Sequence, residues 1–301
     1  MNQPADQDFT SGFVAIIGQP NVGKSTLLNC MLGQKIAITS PKPQTTRNRI
    51  LGIHNIKNGQ ILFLDTPGIH NARGGLNRYM VDLATSSIRD VDVVMLLVEA
   101  TREPGESLLE IIELLRKLSC PVVLVINKLD LVAAETLLVR IDQYRTLLDF
   151  REIVPVSALS GDGVARLLEL LPPLLPVGPQ YYPEEMITDL PERFIVAEMV
   201  REQIMKKTRN EIPYGAAVQV ESFEEIPHRK LVVIKAVIHV ERDSHKRIVV
   251  GRQGELIKTI GATARRDIER FLGCRVFLEL FVRVDKNWTQ SARMLKEFGY
   301  E

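Results

Sequence analysis

From residue 13 to about residue 175, short apolar runs alternate with stretches in which apolar residues recur every three or four positions. The runs at 13–17, 61–64, 91–98, 122–126 and 153–156 are Val-, Ile- and Leu-rich with little polar interruption, as strands covered on both faces are. Each is followed by a loop and then a helical pattern, which predicts a doubly wound α/β domain with a mostly parallel sheet. Ligands of such open sheets sit beyond the carboxyl ends of the strands, so chemistry is expected just after each run.

Prolines then crowd the chain at Pro172, Pro173, Pro176, Pro179, Pro183 and Pro191, with Gly178 among them. Such a stretch cannot continue a helix, which places the domain boundary there. The division is 1–175, a linker at 176–190, and a smaller α+β domain at 191–301. In that second domain the pattern predicts a helix at 192–207, strands at 216–223 and 231–240, and a short apolar turn at 248–250. A helix at 255–271 and a strand at 276–284 complete it. Trp288 and a helical stretch at 287–300 read as a packing cap without assigned chemistry.

Length and composition agree with two globular domains: 301 residues, 45% hydrophobic and 25% charged, which excludes disordered, collagen-like and coiled-coil classes. Lys plus Arg is 38 against Asp plus Glu 37, so no uniform basic coat exists. The charge is nevertheless uneven. Residues 186–301 hold 21 basic and 17 acidic side chains, about +4, leaving 17 against 20, about −3, for 1–185. Cys30, Cys120 and Cys274 are far apart and form no Cys-x-x-Cys pair, which argues for a reducing compartment and against a disulfide framework or zinc site. The first residues lack both early cations and an apolar core, predicting no secretory signal. No apolar run approaches the roughly 20 residues that cross a bilayer.

Gly18-Gln19-Pro20-Asn21-Val22-Gly23-Lys24-Ser25, followed by Thr26, fits G-x-x-x-x-G-K-[ST] between a strand and a helix expected at 25–32. Glycines let backbone N–H groups wrap a phosphate, and the helix N-terminus adds its positive end. Lys24 would reach the β and γ phosphates and the Ser25 hydroxyl would bind Mg²⁺. Asp65-Thr66-Pro67-Gly68 closes a strand, so Asp65 would meet Mg²⁺ through water and the Gly68 N–H would meet the γ-phosphate. Asn127-Lys128-Leu129-Asp130 closes another. The Asp130 carboxylate can accept from guanine N1–H and N2–H₂, groups that adenine lacks, so guanine is favoured. Ser157-Ala158-Leu159 follows the next strand and would back the base, with the Ala158 N–H on guanine O6. The proline-broken stretch 35–49 is the expected switch I; Thr46, or alternatively Thr45, would bind Mg²⁺. Lys24, Thr46, Asp65 and Gly68 are thus the expected catalytic groups. Ile69 stands where GTPases of the Ras type carry a water-orienting glutamine. Asn21 is either a candidate ligand for a monovalent cation such as K⁺ or a partner within its own loop.

In the second domain, Gly251-Arg252-Gln253-Gly254 lies between the apolar turn and a helix with a strand after it, the order of a KH domain. The missing Cβ atoms let a nucleic-acid backbone come close. Arg252 and Lys258 can neutralise phosphates, and His245, Lys246, Arg247, Arg265 and Arg266 add charge. Ile248, Val250, Leu256 and Ile257 are either core or the floor of a groove for bases.

These motifs together resemble the bacterial Era GTPases, from about residue 13 to the C-terminus. The resemblance rests on Gly-Gln-Pro-Asn-Val-Gly-Lys-Ser-Thr, Pro-Gln-Thr-Thr-Arg, Asp-Thr-Pro-Gly, Asn-Lys-Leu-Asp, Ser-Ala-Leu and Gly-Arg-Gln-Gly. It implies a P-loop GTPase followed by a type II KH domain. It also implies use of GTP, GDP and Mg²⁺, and binding of the small-subunit ribosomal RNA 3′ end on the 30S subunit during its maturation. Hydrolysis without a switch-II glutamine and a cytoplasmic location with loose association to the inner membrane come from the resemblance too. Two alternatives stand beside it: an RNA-binding module that keeps GTP as a structural clip, and a GTPase whose basic domain grips a protein or lipid surface.

Overall fold

The computed structural model describes residues 9–68, 75–87 and 90–300, and it divides into two compact units. The first contains β1 (Thr10–Gly18), α1 (Lys24–Leu32), β2 (Ile50–Ile56) and β3 (Gly59–Asp65), then α2 (Gly75–Ser86) from Met80 onward, its earlier residues falling in the second unit, β4 (Val93–Glu99), α3 (Glu106–Leu115) and β5 (Val122–Asn127), and finally α4 (Ala134–Arg145), β6 (Glu152–Pro155) and α5 (Val164–Leu170). Its sheet runs β2-β3-β1-β4-β5-β6, parallel except for the β2–β3 pair. Val14 to Ile17, Val93 to Leu97 and Val123 to Ile126 are wholly enclosed, which is why these strands carry apolar residues at consecutive positions. β1, β3, β4 and β5 all deliver their carboxyl ends to one edge, where the motifs follow.

β2 is an addition to the sequence reading. Its polar His54 and Asn55 interrupt the apolar run, as an antiparallel outer strand permits. The proline-rich stretch is also more firmly held than a bare linker. Pro176 O accepts from the Ser11 N–H, the Gly178 N–H donates to Phe9 O, and the Gln60 Oε1 accepts from the N–H groups of Tyr181 and Tyr182. The whole stretch, as far as Asp189, belongs to the first unit.

The second unit holds α6 (Glu192–Lys207), β7 (Ala216–Ile226), β8 (Leu231–Val240), α7 (Asp243–Val250), α8 (Glu255–Leu272), β9 (Arg275–Val284) and α9 (Ala292–Glu297). β7 and β8 are antiparallel and β9 joins β8 in parallel. α6 and the inner face of α8, with Ile260, Ala264 and Ile268, pack on that sheet around one apolar core. The expected apolar turn at 248–250 is instead the last turn of helix α7. The C-terminal helix is shorter than expected: Trp288–Gln290 is a 3₁₀ turn, and α9 follows with Ser291 as its N-cap. Trp288 does act as a packing residue. It is wholly buried, donates from Nε1 to Gly215 O at 3.0 Å and stacks on Tyr300.

Ile38–Thr45 also belongs to the second unit. α6 is buried along most of its length, and its polar residues Glu198, Arg201 and Glu202 face this segment. Glu202 Oε1 accepts from the Thr39 N–H at 2.9 Å and from the Thr39 hydroxyl, and the Lys42 ammonium donates to the carbonyls of Met205 and Thr208. The Arg201 guanidinium, paired with Glu198 at 2.6 Å, donates to Thr45 O.

Candidate nucleotide and nucleic-acid sites

The loop between β1 and α1 is shaped by its glycines. Gly23 has φ 101°, and a Cβ there would lie 2.2 Å from Asn127 Nδ2, so only glycine fits. Asn127 itself ties three motifs together: Nδ2 donates to Val22 O at 2.8 Å and Oδ1 accepts from the Ala158 N–H at 2.9 Å. The Ala158 N–H, expected to meet guanine O6, is thus engaged by Asn127 in this structure. A Cβ on Gly68 would fall 2.8 Å from Pro20 N, so the Asp-Thr-Pro-Gly turn abuts the same loop.

Three expected metal ligands meet. Ser25 Oγ donates to Asp65 Oδ2 at 2.6 Å and lies 2.8 Å from Thr46 Oγ1. The Thr45 hydroxyl is instead turned to Lys42 O at 2.7 Å. Asp65 Oδ1 is buried without a hydrogen-bond partner among the described residues. Burial raises the Asp65 carboxyl to about 6 despite the attraction of Lys24 and the hydroxyls of Ser25 and Thr46. Burial likewise lowers the Lys24 ammonium to about 8, with Asp65 pulling the other way. Lys24 Nζ donates to Gly18 O and Gln19 O at 3.2 and 3.1 Å, so it lies across the loop that a phosphate would fill. A hydroxyl pair and a carboxylate with an unpartnered buried oxygen form an all-oxygen donor set that suits Mg²⁺.

At the base end, Ser157 Oγ donates to Asp130 Oδ1 at 2.6 Å, orienting a carboxylate that faces solvent. Lys128 is in left-handed backbone, and its ammonium meets the buried Glu99 at 2.5 Å. Glu99 was not singled out in the sequence; its only signal is an acid closing the apolar strand β4. Asn29 was missed as well. Its Oδ1 accepts from the N–H groups of Ile36 and Ala37, anchoring the start of the switch segment. Leu159 is 82% exposed beside this end of the site. Gln19, Asn21, Thr66, Pro67 and Leu129 lie on the same loops, whereas Ile69 is outside the described residues.

In the second unit α7 ends at Gly251 and α8 begins after Gly254. Gly251 has φ 75°, and a Cβ would press on Leu256 N at 2.9 Å; Gly254 has φ 79° and opens onto empty space. Arg252, Gln253, Lys246, Arg247, Lys258 and Arg266 are exposed around or beyond the loop. Arg265 is about three turns along α8, in the wall of a separate cavity with Glu269. His245, expected to add surface charge, is buried. Leu256 and Ile257 pack against the domain core, Val250 is partly buried, and Ile248 is 50% exposed next to the loop.

Comparison with known proteins now decides the family. The family model for 50S ribosome-binding GTPases matches residues 13–128, and that for KH domains matches residues 211–289. The GTPase Era of Geotalea uraniireducens strain Rf4 is 61% identical over 296 residues, covering 98% of this chain and 99% of the relative. The chain belongs to the Era GTPases. The GTPase Era of Geobacter metallireducens is 57% identical over 98% of this chain and 99% of its own. A crystal structure of Era with MgGDPNP and nucleotides 1506–1542 of 16S ribosomal RNA superposes with a TM-score of 0.93 at 41% identity, covering 97% of this chain and 99% of the other. A single-residue variant of Aquifex aeolicus Era bound to GDP·AlF4⁻ gives the same TM-score, identity and coverage. This Era-family chain is therefore a GTPase of P-loop fold joined to a KH domain. Among the described residues no helix is long and apolar enough to cross a membrane.

Proposed function

We propose that the chain is a GTP-hydrolysing switch that holds the single-stranded 3′ end of small-subunit ribosomal RNA at its KH loop and assists maturation of the 30S subunit. The conjunction of two built sites in one chain carries this reading: Ser25, Thr46 and Asp65 converging beside Lys24, and the exposed Gly251–Gly254 loop at the head of α8. Support comes from the related Era crystallised with MgGDPNP and the 3′ segment of 16S ribosomal RNA. We take 1–175 as the nucleotide domain, 176–190 as the connecting stretch and 191–301 as the RNA-binding domain.

Residues 18–26 cradle the phosphates of GTP or GDP, with Lys24 moving from the carbonyls of Gly18 and Gln19 to the β and γ oxygens. Ser25 and Thr46 hold Mg²⁺ directly and Asp65 through water; the ion spreads the charge that develops on the phosphoryl oxygens. Gly68 donates its N–H to the γ-phosphate. Asp130, oriented by Ser157, reads guanine, while Lys128 and Ala158 flank the base. Ile69 has no group that could orient water, so turnover is slow unless charge is added near the P-loop. Asn21, left-handed at φ 67°, is the group we assign to a K⁺ ion there. Faster phosphate release in potassium than in sodium salts is the expected sign.

Lys246, Arg247, Arg252, Gln253, Lys258, Arg265 and Arg266 contact RNA phosphates, with Gly251 and Gly254 allowing close approach. We place the working protein in the cytoplasm, and peripheral contact with the inner membrane is the part of the reading that rests on resemblance alone. The functional test is crosslinking in living cells followed by sequencing of the bound RNA. Reads concentrated at the 3′ end of the small-subunit RNA support the proposal. Reads spread evenly over cellular RNA would overturn it.

A further inference from the structure

Glu99 closes β4 as the register partner of Asn127 in β5, so its carboxylate enters the site from the strand beside the Asn-Lys-Leu-Asp motif. It is only 4% exposed. A carboxylate withdrawn that far from water is stable only when its oxygens find partners, and here they are divided. Oε2 lies 3.1 Å from Arg102 Nε and accepts from the Thr101 hydroxyl at 3.2 Å, both on the loop that follows β4. Oε1 is given to the Lys128 ammonium at 2.5 Å. The backbone that carries Glu99 is fixed as well. The Ala100 N–H donates to Asn127 O at 2.8 Å, and from α4 Arg140 Nε donates to Ala100 O at 3.3 Å and the Tyr144 hydroxyl to Arg102 O at 3.0 Å.

The carboxylate is thus a rigid post, and Lys128 is the flexible partner tied to it. A lysine side chain in water samples many rotamers. Here the left-handed backbone at φ 67° and the ion pair together draw the stem from the end of β5 across to the end of β4. The ammonium is neutralised within the protein, so what Lys128 offers a ligand is its methylene stem, with the side chain 31% exposed. Asp130, two residues further on, meets only the edge of a guanine. Hydrogen bonds at one edge leave the plane of the base free to tilt, whereas an apolar stem beneath its face fixes it. A stem that must be ordered when the nucleotide binds lowers the affinity, and one held beforehand does not.

We propose that Glu99 is a positioning residue of the guanine-nucleotide site: it holds Lys128 in place so that the methylene stem floors the purine while Asp130 reads its edge. Glu99 itself touches no part of the nucleotide and acts through Lys128. The inference rests on the guanine reading above and deepens it.

The experiment is a titration of the purified full chain with a fluorescent GDP, displaced by GDP, inosine diphosphate or ADP, with GTP turnover measured alongside. Wild type is compared with Glu99→Gln, Lys128→Met, the double variant and Arg102→Ala. Glu99→Gln should weaken GDP by about three- to tenfold and raise KM for GTP by the same factor while kcat stays level. Inosine diphosphate should weaken by that factor too, because the stem meets the face of the base and the missing amino group lies on its edge. In the Lys128→Met background Glu99→Gln should cost little more. Arg102→Ala removes a 61% exposed partner of Glu99 and should leave GDP affinity within about twofold. Wild-type affinity in Glu99→Gln would overturn the proposal. So would a full further loss on top of Lys128→Met, since Glu99 would then be acting through the fold, or a collapse of the preference for GDP over inosine diphosphate, which would place its effect on Asp130. Equal weakening in Arg102→Ala would also overturn it, by reducing Glu99 to an anchor of its own loop. A wild type that bound ADP as tightly as GDP would instead bring down the guanine reading itself.

Discussion

Asp130 shows how little of a side chain's role lies in its own neighbourhood. Its motif was legible because Asn127, Lys128 and Asp130 are contiguous and close a strand. The hydrogen bond from Ser157 that orients it comes from 27 residues away. Asn127 is similar: its place in the motif was readable, but its bonds to Val22 and Ala158 belong to three separate loops. Glu99 and Asn29 were illegible for the same reason, since a lone acid or amide acquires meaning only from a distant partner. Asp130→Asn replaces an acceptor with a donor opposite guanine. The mismatch costs about 1–3 kcal/mol, so GTP affinity should fall roughly tenfold or more while xanthosine triphosphate gains. Nucleotide competition on the purified protein measures this, and unchanged preference for GTP would remove the guanine assignment.

Among the elements, β1, β3, β4 and β5 were readable because both faces of their central residues are covered and those positions must be apolar, while the outer strand β6 was readable from the apolar run that Ile153 and Val154 begin. β2 escaped notice: only its first residues are apolar, and its pairing with β3 is antiparallel. α7 read as a turn because Ile248, Val249 and Val250 are consecutive, yet only Val249 of the three is fully enclosed. α6 hides its most informative residues, Arg201 and Glu202, in a helix buried on nearly every side, where no polar stripe marks them. The Gly251–Gly254 loop can be tested without unfolding its helices. In Arg252→Asp/Gln253→Asp both glycines remain and both new side chains replace exposed ones. RNA binding should fall with little change in melting temperature or GTP affinity, and the residual binding should lose about one to two units of salt slope. Equal affinity in a folded variant would remove the loop as the RNA contact. The C-terminal cap makes the opposite demand. Trp288→Ala leaves a large void and an unpartnered Gly215 carbonyl, a loss of about 3–5 kcal/mol, which should lower the melting of the KH unit by more than about 10 °C. A shift of only a degree or two in calorimetry would mean that the cap is dispensable.

On the scale of the whole molecule, the chain combines a unit that binds and hydrolyses a nucleotide with a unit whose charge excess suits a polyanion. A net charge of +1 conceals this, because the acidic excess of one half offsets the basic excess of the other. The two-part organisation was visible in the proline-rich stretch. The membership of Ile38–Thr45 in the second unit was not, since it depends on residues about 160 positions later. The distinction between an active switch and an RNA-binding module with GTP as a clip is a distinction of turnover. The most direct measurement is release of phosphate from GTP, and from ATP as a control, by purified wild-type chain and by Lys24→Ala in Mg²⁺. Multiple turnovers with GTP, background release with ATP and background release from the variant are expected. Tight GTP binding without release, or release from ATP equal to that from GTP, would contradict the assignment of these residues to a guanine-specific phosphohydrolase.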